Sequence, residues 1–344
     1  MRPTSEPLER MGFYTMTDLR CRNTSSTSRL GRCVLVLTES CNFACPYCRS
    51  HAGMHMPTEH ARDVIRLWAR DSLFTLVFTG GEPTLHPDLA NLVEFAKSLG
   101  IPRVGLATNG AASMTFYRKL WEAGVDDFSI SLDADNAKDG AALSGRGPDV
   151  WHRVVDNVRE IAAFTRVTIG LVFNETNLCR ASDIVQFAID LGVADVRLNP
   201  AAQFSSHLPA MELNPKLLLG HPILSWRLEN QSRGIGVRGL QDADPDRCWL
   251  ALDEMTVSRD YHYPCFVYMR EGGKPIGRVG ADVRGQRQRW VEHHNPKEDP
   301  LCLKNCPDCL VAFNRRFEFF HADLVLNKAS ITSKEAGHEN CSLL

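Results

Sequence analysis

The sequence lacks charge imbalance: 39 Lys and Arg face 41 Asp and Glu, a net of −2. That argues against a broadly basic nucleic-acid binder. It also lacks any apolar run approaching the roughly 18 residues of a membrane helix. The opening segment, MRPTSEPLERMGFYTM, has no apolar stretch of the kind a secretory signal carries. No nucleic-acid partner and no membrane are therefore expected, and the cytoplasm is the default compartment. No internal repeat or low-complexity linker breaks the 344 residues, which suffice for one large domain and a smaller one.

Cysteine, by contrast, is plentiful, with 12 residues. In a reducing compartment, clustered cysteines read as metal ligands before disulfides. Cys41, Cys45 and Cys48 form one cluster. Cys302, Cys306 and Cys309 form another, with Cys248 and Cys265 upstream, while Cys21, Cys33, Cys179 and Cys341 stand alone.

Residues 1–32 are polar and read as a surface arm with little structure of its own. From Cys33 a rhythm begins. Strand-like runs at 34–39, 75–80, 104–110, 128–134, 167–174 and 194–200 alternate with helical patterns at 60–71, 89–100, 114–124, 149–164 and 181–192. Six such alternations predict an α/β fold: a partial, open (β/α)6 TIM-like barrel over 33–205, with sites at the C-terminal ends of its strands. Residues 206–240 read as a linker with a short helix around LSWRLENQ, and 241–344 as a separate, small, cysteine-rich Fe–S module. A core that small often needs a metal or a disulfide.

Cys41-Asn-Phe-Ala-Cys45-Pro-Tyr-Cys48 follows the first strand directly. Three thiolates on one loop can meet one face of a cubane; a [4Fe–4S] cluster takes four, so three leave one iron open. The alternative at this level is a zinc knuckle, for which His51 is the nearest fourth ligand. The loop, with Tyr47 before its third cysteine, resembles the signature of the radical S-adenosylmethionine (SAM) superfamily. Gly80-Gly81-Glu82-Pro83 at the end of the second strand is similar to that family's motif for the SAM amino group. Ser131 and Asp133 after the fourth strand resemble its ribose and carboxylate contacts, and Asn109 and Asn174 lie at the same rim. The resemblance covers about residues 33–200. It implies an enzyme that cleaves SAM reductively and removes a hydrogen atom from substrate by a 5′-deoxyadenosyl radical. It also implies a reductant such as flavodoxin or ferredoxin.

The second cysteine set resembles the SPASM and twitch auxiliary-cluster modules of the same superfamily. That resemblance implies a second [4Fe–4S] cluster on Cys248, Cys265, Cys306 and Cys309, with Cys302 as substitute or bystander. A structural zinc site is the alternative for these cysteines. The expected substrate is a small polar molecule of amino sugar, aminocyclitol or nucleoside type, dehydrogenated or epimerised. The short arm, with no room for a leader-binding domain, tilts the reading that way, and a ribosomally made peptide is the alternative. Cys179, just past the fifth strand, is a candidate hydrogen-atom donor for an epimerase, with simple packing as the plainer role. The basic stretch Arg270, Lys274, Arg278, Arg284, Arg287 and Arg289 reads as a solvated face. His293 and His294 have no partner spacing that implies a metal.

Overall fold

The computed structural model describes residues 17–48 and 53–322. His51, Cys341 and the first half of the arm lie outside them. The arm's described part contains a helix, α1 (Asp18–Asn23), whose Cys21 is fully buried against Phe313 and Phe317. It is therefore not the unstructured arm expected. One apolar thiol on a polar segment is too faint a signal to announce a packed helix.

Six strands lie parallel and in chain order: β1 (Arg32–Thr38), β2 (Thr75–Gly80), β3 (Arg103–Thr108), β4 (Asp127–Ser131), β5 (Arg166–Phe173) and β6 (Asp195–Pro200). Their apolar, β-branched runs follow from burial on both faces; all of Cys33–Thr38 in β1 is buried. The intervening helices are α2 (Thr58–Arg70), α3 (Leu89–Ser98), α4 (Met114–Ala123), α5 (Ala137–Ser144), α6 (Pro148–Ala162) and α7 (Ala181–Asp190). In α2 the buried face is Ala61, Val64, Ile65 and Trp68, one stripe at helical spacing. α4 opens on Ser113, which accepts from the Phe116 amide, and stops at Gly124 in the left-handed region. The open six-stranded barrel is thus present as expected, with α5 as an additional helix.

Beyond β6 come α8 (Pro215–Leu218) and α9 (Pro222–Ser232), then β7 (Glu254–Ser258), β8 (Tyr261–Tyr263), α10 (Phe266–Arg270) and β9 (Gly277–Arg278). The chain continues through α11 (Val283–His293), α12 (Pro300–Asn305) and α13 (Asp308–Phe320). The sheet does not end at the anticipated module boundary. β7 pairs parallel with β1, and β8 and β9 extend it antiparallel. The cysteine-rich segment therefore shares a hydrogen-bonded sheet with the barrel. Two ion pairs reinforce the seam: Arg32 to Glu254 at 2.8 Å and Arg20 to Asp253 at 2.7 Å.

The basic stretch also differs from expectation. Arg287 is buried, donating to the carbonyls of Ala251 (2.7 Å), Tyr263 (3.1 Å) and Glu254. Arg284 reaches Asp71 at 2.8 Å and the Ser26 carbonyl at 3.0 Å. Both act as internal braces, positions that charge alone does not mark.

Candidate active site

The cysteine loop leaves the C-terminal end of β1 and is held from three sides. The Thr38 hydroxyl accepts from the Ser40 amide at 3.0 Å. The Ala44 amide donates to Ser144 O at 2.8 Å, tying the loop to the end of α5. Gln203, just past β6, donates to Tyr47 O at 3.0 Å. A turn closes between Cys45 and Cys48, with the Cys48 amide donating to Cys45 O at 3.0 Å.

The Gly80-Gly81 pair packs against this loop. A Cβ on Gly80 would stand 2.2 Å from Thr38 O, and one on Gly81 2.2 Å from Ser40 O. Glycine is therefore required for close approach. The amides of Gly81 and Glu82 then donate to Thr38 O (2.7 Å) and Ser40 O (2.8 Å), fixing β2 to the start of the loop.

Cys41, Cys45 and Cys48 line one cavity of about 320 Å³ together with Tyr47, Gly80, Gly81, Asn109, Ser131 and Asp133. Nine of the residues anticipated from sequence thus converge. The Tyr47 hydroxyl donates to Asp133. The other Asp133 oxygen accepts from the Val172 amide at 2.6 Å. Burial pushes the Asp133 carboxyl up to about 6. Asn109 donates to Asn42 Oδ1 at 2.7 Å and accepts from the Ala111 amide at 3.0 Å.

Three anticipated residues lie outside the cavity's lining. Glu82 is fully buried beneath it. Its carboxylate accepts from Thr84 Oγ1 (2.6 Å), Thr108 Oγ1 (2.7 Å) and the amides of Thr84 (3.1 Å) and Asn109 (2.7 Å). It acts as a brace between the ends of β2 and β3. Asn174 is buried too, its side chain accepting from the Thr176 amide and hydroxyl at 2.8 and 2.6 Å. It builds the turn after β5. Cys179 is exposed, in a single 3-10 turn before α7.

Several lining residues escaped the sequence reading. Arg197 and Asn199 come from β6, Ser129 from β4 and Trp151 from α6. Strand alternation was the available signal: Arg197 and Asn199 are two apart, as residues on one face must be. Phe266 also lines the cavity, from the segment beyond β8.

Next to Phe266, Cys265 lines a second, smaller cavity with Cys248, Cys302 and Cys306. Cys309 is not among its lining residues; it is buried in an apolar cluster with Ile223, Trp249, Phe313 and Phe317. Cys302, the expected substitute or bystander, is thus among the thiols around this cavity, and Cys248, Cys265 and Cys306 also pack against the cluster that holds Cys309. Cys302 and Cys306 are four apart at the end of α12 and so share a face. Pro307 then turns the chain into α13, whose buried residues include Cys309.

Both cysteine groups suit a cationic cofactor. Burial pushes Cys45 up to about 12, with Asp133 and neighbouring thiols adding to the effect. Burial also pushes Cys265 up to about 12, and it raises Cys306 well above the usual thiol range, helped by Cys248, Cys265 and Cys302. Thiols gathered in apolar pockets become thiolates only with positive charge among them. An iron–sulfur cluster and zinc would each supply that charge. His294, whose spacing in the sequence implied no metal, lies with Asp299 and Cys302, their ligand atoms all within 4.8 Å of one another.

A third space, a cleft of about 720 Å³, lies between the loop after β6, α9 and α13. Gln203 is one of its walls, and Leu240 and Val311 line both it and the second cavity. Among the described residues no helix is long and apolar enough to cross a membrane.

Residues 35–188 match the Radical SAM superfamily. A probable GTP 3′,8-cyclase of Sulfurisphaera tokodaii is 28% identical over 180 residues, covering 49% of this chain and 57% of the relative. The mycofactocin maturase MftC of Mycolicibacterium smegmatis is 31% identical over 175 residues, 48% of this chain and 44% of the relative. The chain thus aligns with about half the length of the curated relatives it matches. Among solved structures, Streptococcus suis SuiB bound to the precursor peptide SuiA superposes with a TM-score of 0.55 at 15% identity, covering 83% of this chain and 68% of that one. Native anSMEcpe with bound AdoMet and Cp18Cys peptide gives 0.52 at 14%, covering 88% and 99%. Likeness at that identity establishes the fold. Residues 35–188 form a radical SAM domain, the domain of a superfamily whose cofactors are a [4Fe–4S] cluster and S-adenosylmethionine.

Proposed function

We propose that Cys41, Cys45 and Cys48 hold the SAM-binding cluster, that Cys248, Cys265, Cys302 and Cys306 hold a second one, and that the enzyme dehydrogenates a small polar substrate. The observation that carries this reading is the shared wall between the cavities: Cys265 faces one, and the adjacent Phe266 faces the other. When bound, the first cluster with SAM supplies a radical that removes a hydrogen atom, and the second supplies an electron acceptor. The chain's own residues do the rest. Gly80 and Gly81 allow backbone to approach the SAM amino group, and Asn109, Ser131 and Asp133 offer polar atoms to its remaining groups. Tyr47 and the Val172 amide hold the Asp133 carboxylate in place. Phe43, Leu132 and Trp151 supply apolar walls that exclude water.

Dehydrogenation is favoured over epimerisation by the position of Cys179. An epimerase needs a hydrogen donor beside the substrate, and this thiol is exposed and outside the cavity's lining. The polar rim of the cleft, with Gln203, Ser206, His207 and Gln241, suits a hydroxylated or aminated substrate. The second reading, a peptide substrate, is favoured by the cleft's volume of about 720 Å³.

The test is anaerobic reconstitution followed by reduction in the presence of SAM. Formation of methionine and 5′-deoxyadenosine is expected, and its absence would sink the reading. With an amino sugar, an aminocyclitol or a nucleoside, an oxidised product is expected. Solvent deuterium at an inverted carbon, lost in Cys179→Ala, would establish epimerisation instead.

A further inference from the structure

His293 and His294 had no evident role in the sequence, but the fold gives His294 a specific place. It ends α11 and stacks on Trp290 with ring centroids 4.0 Å apart. Tyr268 packs edge-on against it at 6.1 Å. Both aromatic residues line the second cavity. Its Nε2 is 3.7 Å from Cys302 Sγ and 3.6 Å from Asp299 Oδ2. Asp299 is itself fixed. It caps α12, with Oδ1 accepting from the amides of Leu301 (2.8 Å) and Cys302 (3.3 Å), while Oδ2 accepts from the Tyr268 hydroxyl at 2.9 Å.

We infer that His294 is a positioning residue for the second cluster, donating a hydrogen bond from Nε2 to the Cys302 sulfur and thereby setting the cluster's reduction potential. The inference rests on the proposal that Cys302 ligates that cluster. The imidazole is restrained by a stacked indole, an edge-on phenol and a carboxylate, so the donor is held at the sulfur at little further entropic cost. Asp299 and Tyr268 form the layer behind it, the arrangement by which outer groups orient and tune metal ligands. A hydrogen bond to a ligating sulfur favours the reduced, more electron-rich cluster, so its presence raises the potential. A higher potential makes a better electron acceptor, which is what dehydrogenation asks of this site.

The experiment is a dye-mediated redox titration of reconstituted wild-type, His294→Leu and His294→Gln proteins, followed by electron paramagnetic resonance, with iron and zinc counted in each. The cluster on Cys41, Cys45 and Cys48 serves as an internal reference. His294→Leu should keep the wild-type iron content and shift only the second cluster's midpoint to lower potential. His294→Gln, which retains a side-chain N–H, should recover part of the shift. An unchanged midpoint with full iron content would overturn the inference and leave the cluster assignment standing. Loss of about four irons in His294→Leu would overturn it by making His294 indispensable to cluster assembly. One zinc per wild-type chain, lost with His294, would overturn it by making His294, Asp299 and Cys302 a ligand set. A wild-type protein without a second cluster would overturn both this inference and the reading beneath it.

Discussion

The two cysteine sites are built in opposite ways. The first draws all three thiols from eight consecutive residues at the end of one strand. The second collects four thiols from the loop before β7, the end of β8's hairpin and the end of α12, between Cys248 and Cys306. Closing the short loop costs little chain entropy, and the sheet already points it at the cavity. Closing the long one depends on the sheet seam between β1 and β7 and on α12 packing correctly. The first site should therefore tolerate disturbance elsewhere, while the second should respond to the integrity of the whole C-terminal half.

The strongest way to separate the sites is to remove one. Changing Cys41, Cys45 and Cys48 together to Ala should abolish 5′-deoxyadenosine formation and leave the chromophore of the second site. Retained SAM cleavage would refute the assignment. The next largest effect concerns the second site's membership. Wild-type protein should hold about eight irons per chain if both sites carry [4Fe–4S] clusters. Cys302→Ala should drop this to about four, whereas Cys309→Ala should keep eight. The reverse pattern would place Cys309, and not Cys302, in the ligand set.

A smaller effect probes how the first loop is held. Gly81→Ala forces a Cβ toward Ser40 O and should cost about 1–3 kcal/mol, as overpacking does. Thermal unfolding and the SAM dissociation constant measure it, and unaltered values for both would show that the loop can yield. The mildest effect is a pH slope. Asp133 titrates at about 6 when folded, against an ordinary 3.8. The folded state thus keeps a proton that the unfolded chain has lost, so the contribution of this group to stability is greatest below about pH 4 and declines as pH rises through about 6. Between pH 5 and 7.5 the loss should be about one pKa unit's worth, roughly 1.4 kcal/mol. Asp133→Asn should flatten this part of the unfolding profile, and an unaltered slope would assign it to other groups.

Much of the first site was legible because its parts are local. Short apolar runs bounded by glycine gave the six strands, and the cysteine triplet, Gly80-Gly81, Asn109, Ser131 and Asp133 all sit where those strands end. What residue type alone leaves open is which motif residues line the cavity and which brace it. Glu82 is in the motif and ties β2 to β3 from below. Asn174 shapes its own turn, and Cys179 lies on the surface.

The sequence by itself determined what short-range chemistry can specify: the α/β alternation, the three-cysteine loop and the glycines that bring backbone against it. Only the tertiary structure decided which distant residues meet. It paired β7 with β1, buried Arg287 as a brace and set Phe266 in the wall of the first cavity. It also set Cys302 in the lining of the second cavity and brought His294 to that sulfur. Such contacts depend on helix phase and sheet pairing across many residues. A shift of three positions along the α12–α13 junction separates a thiol facing the cavity from one packed among phenylalanines, and no local pattern encodes that choice.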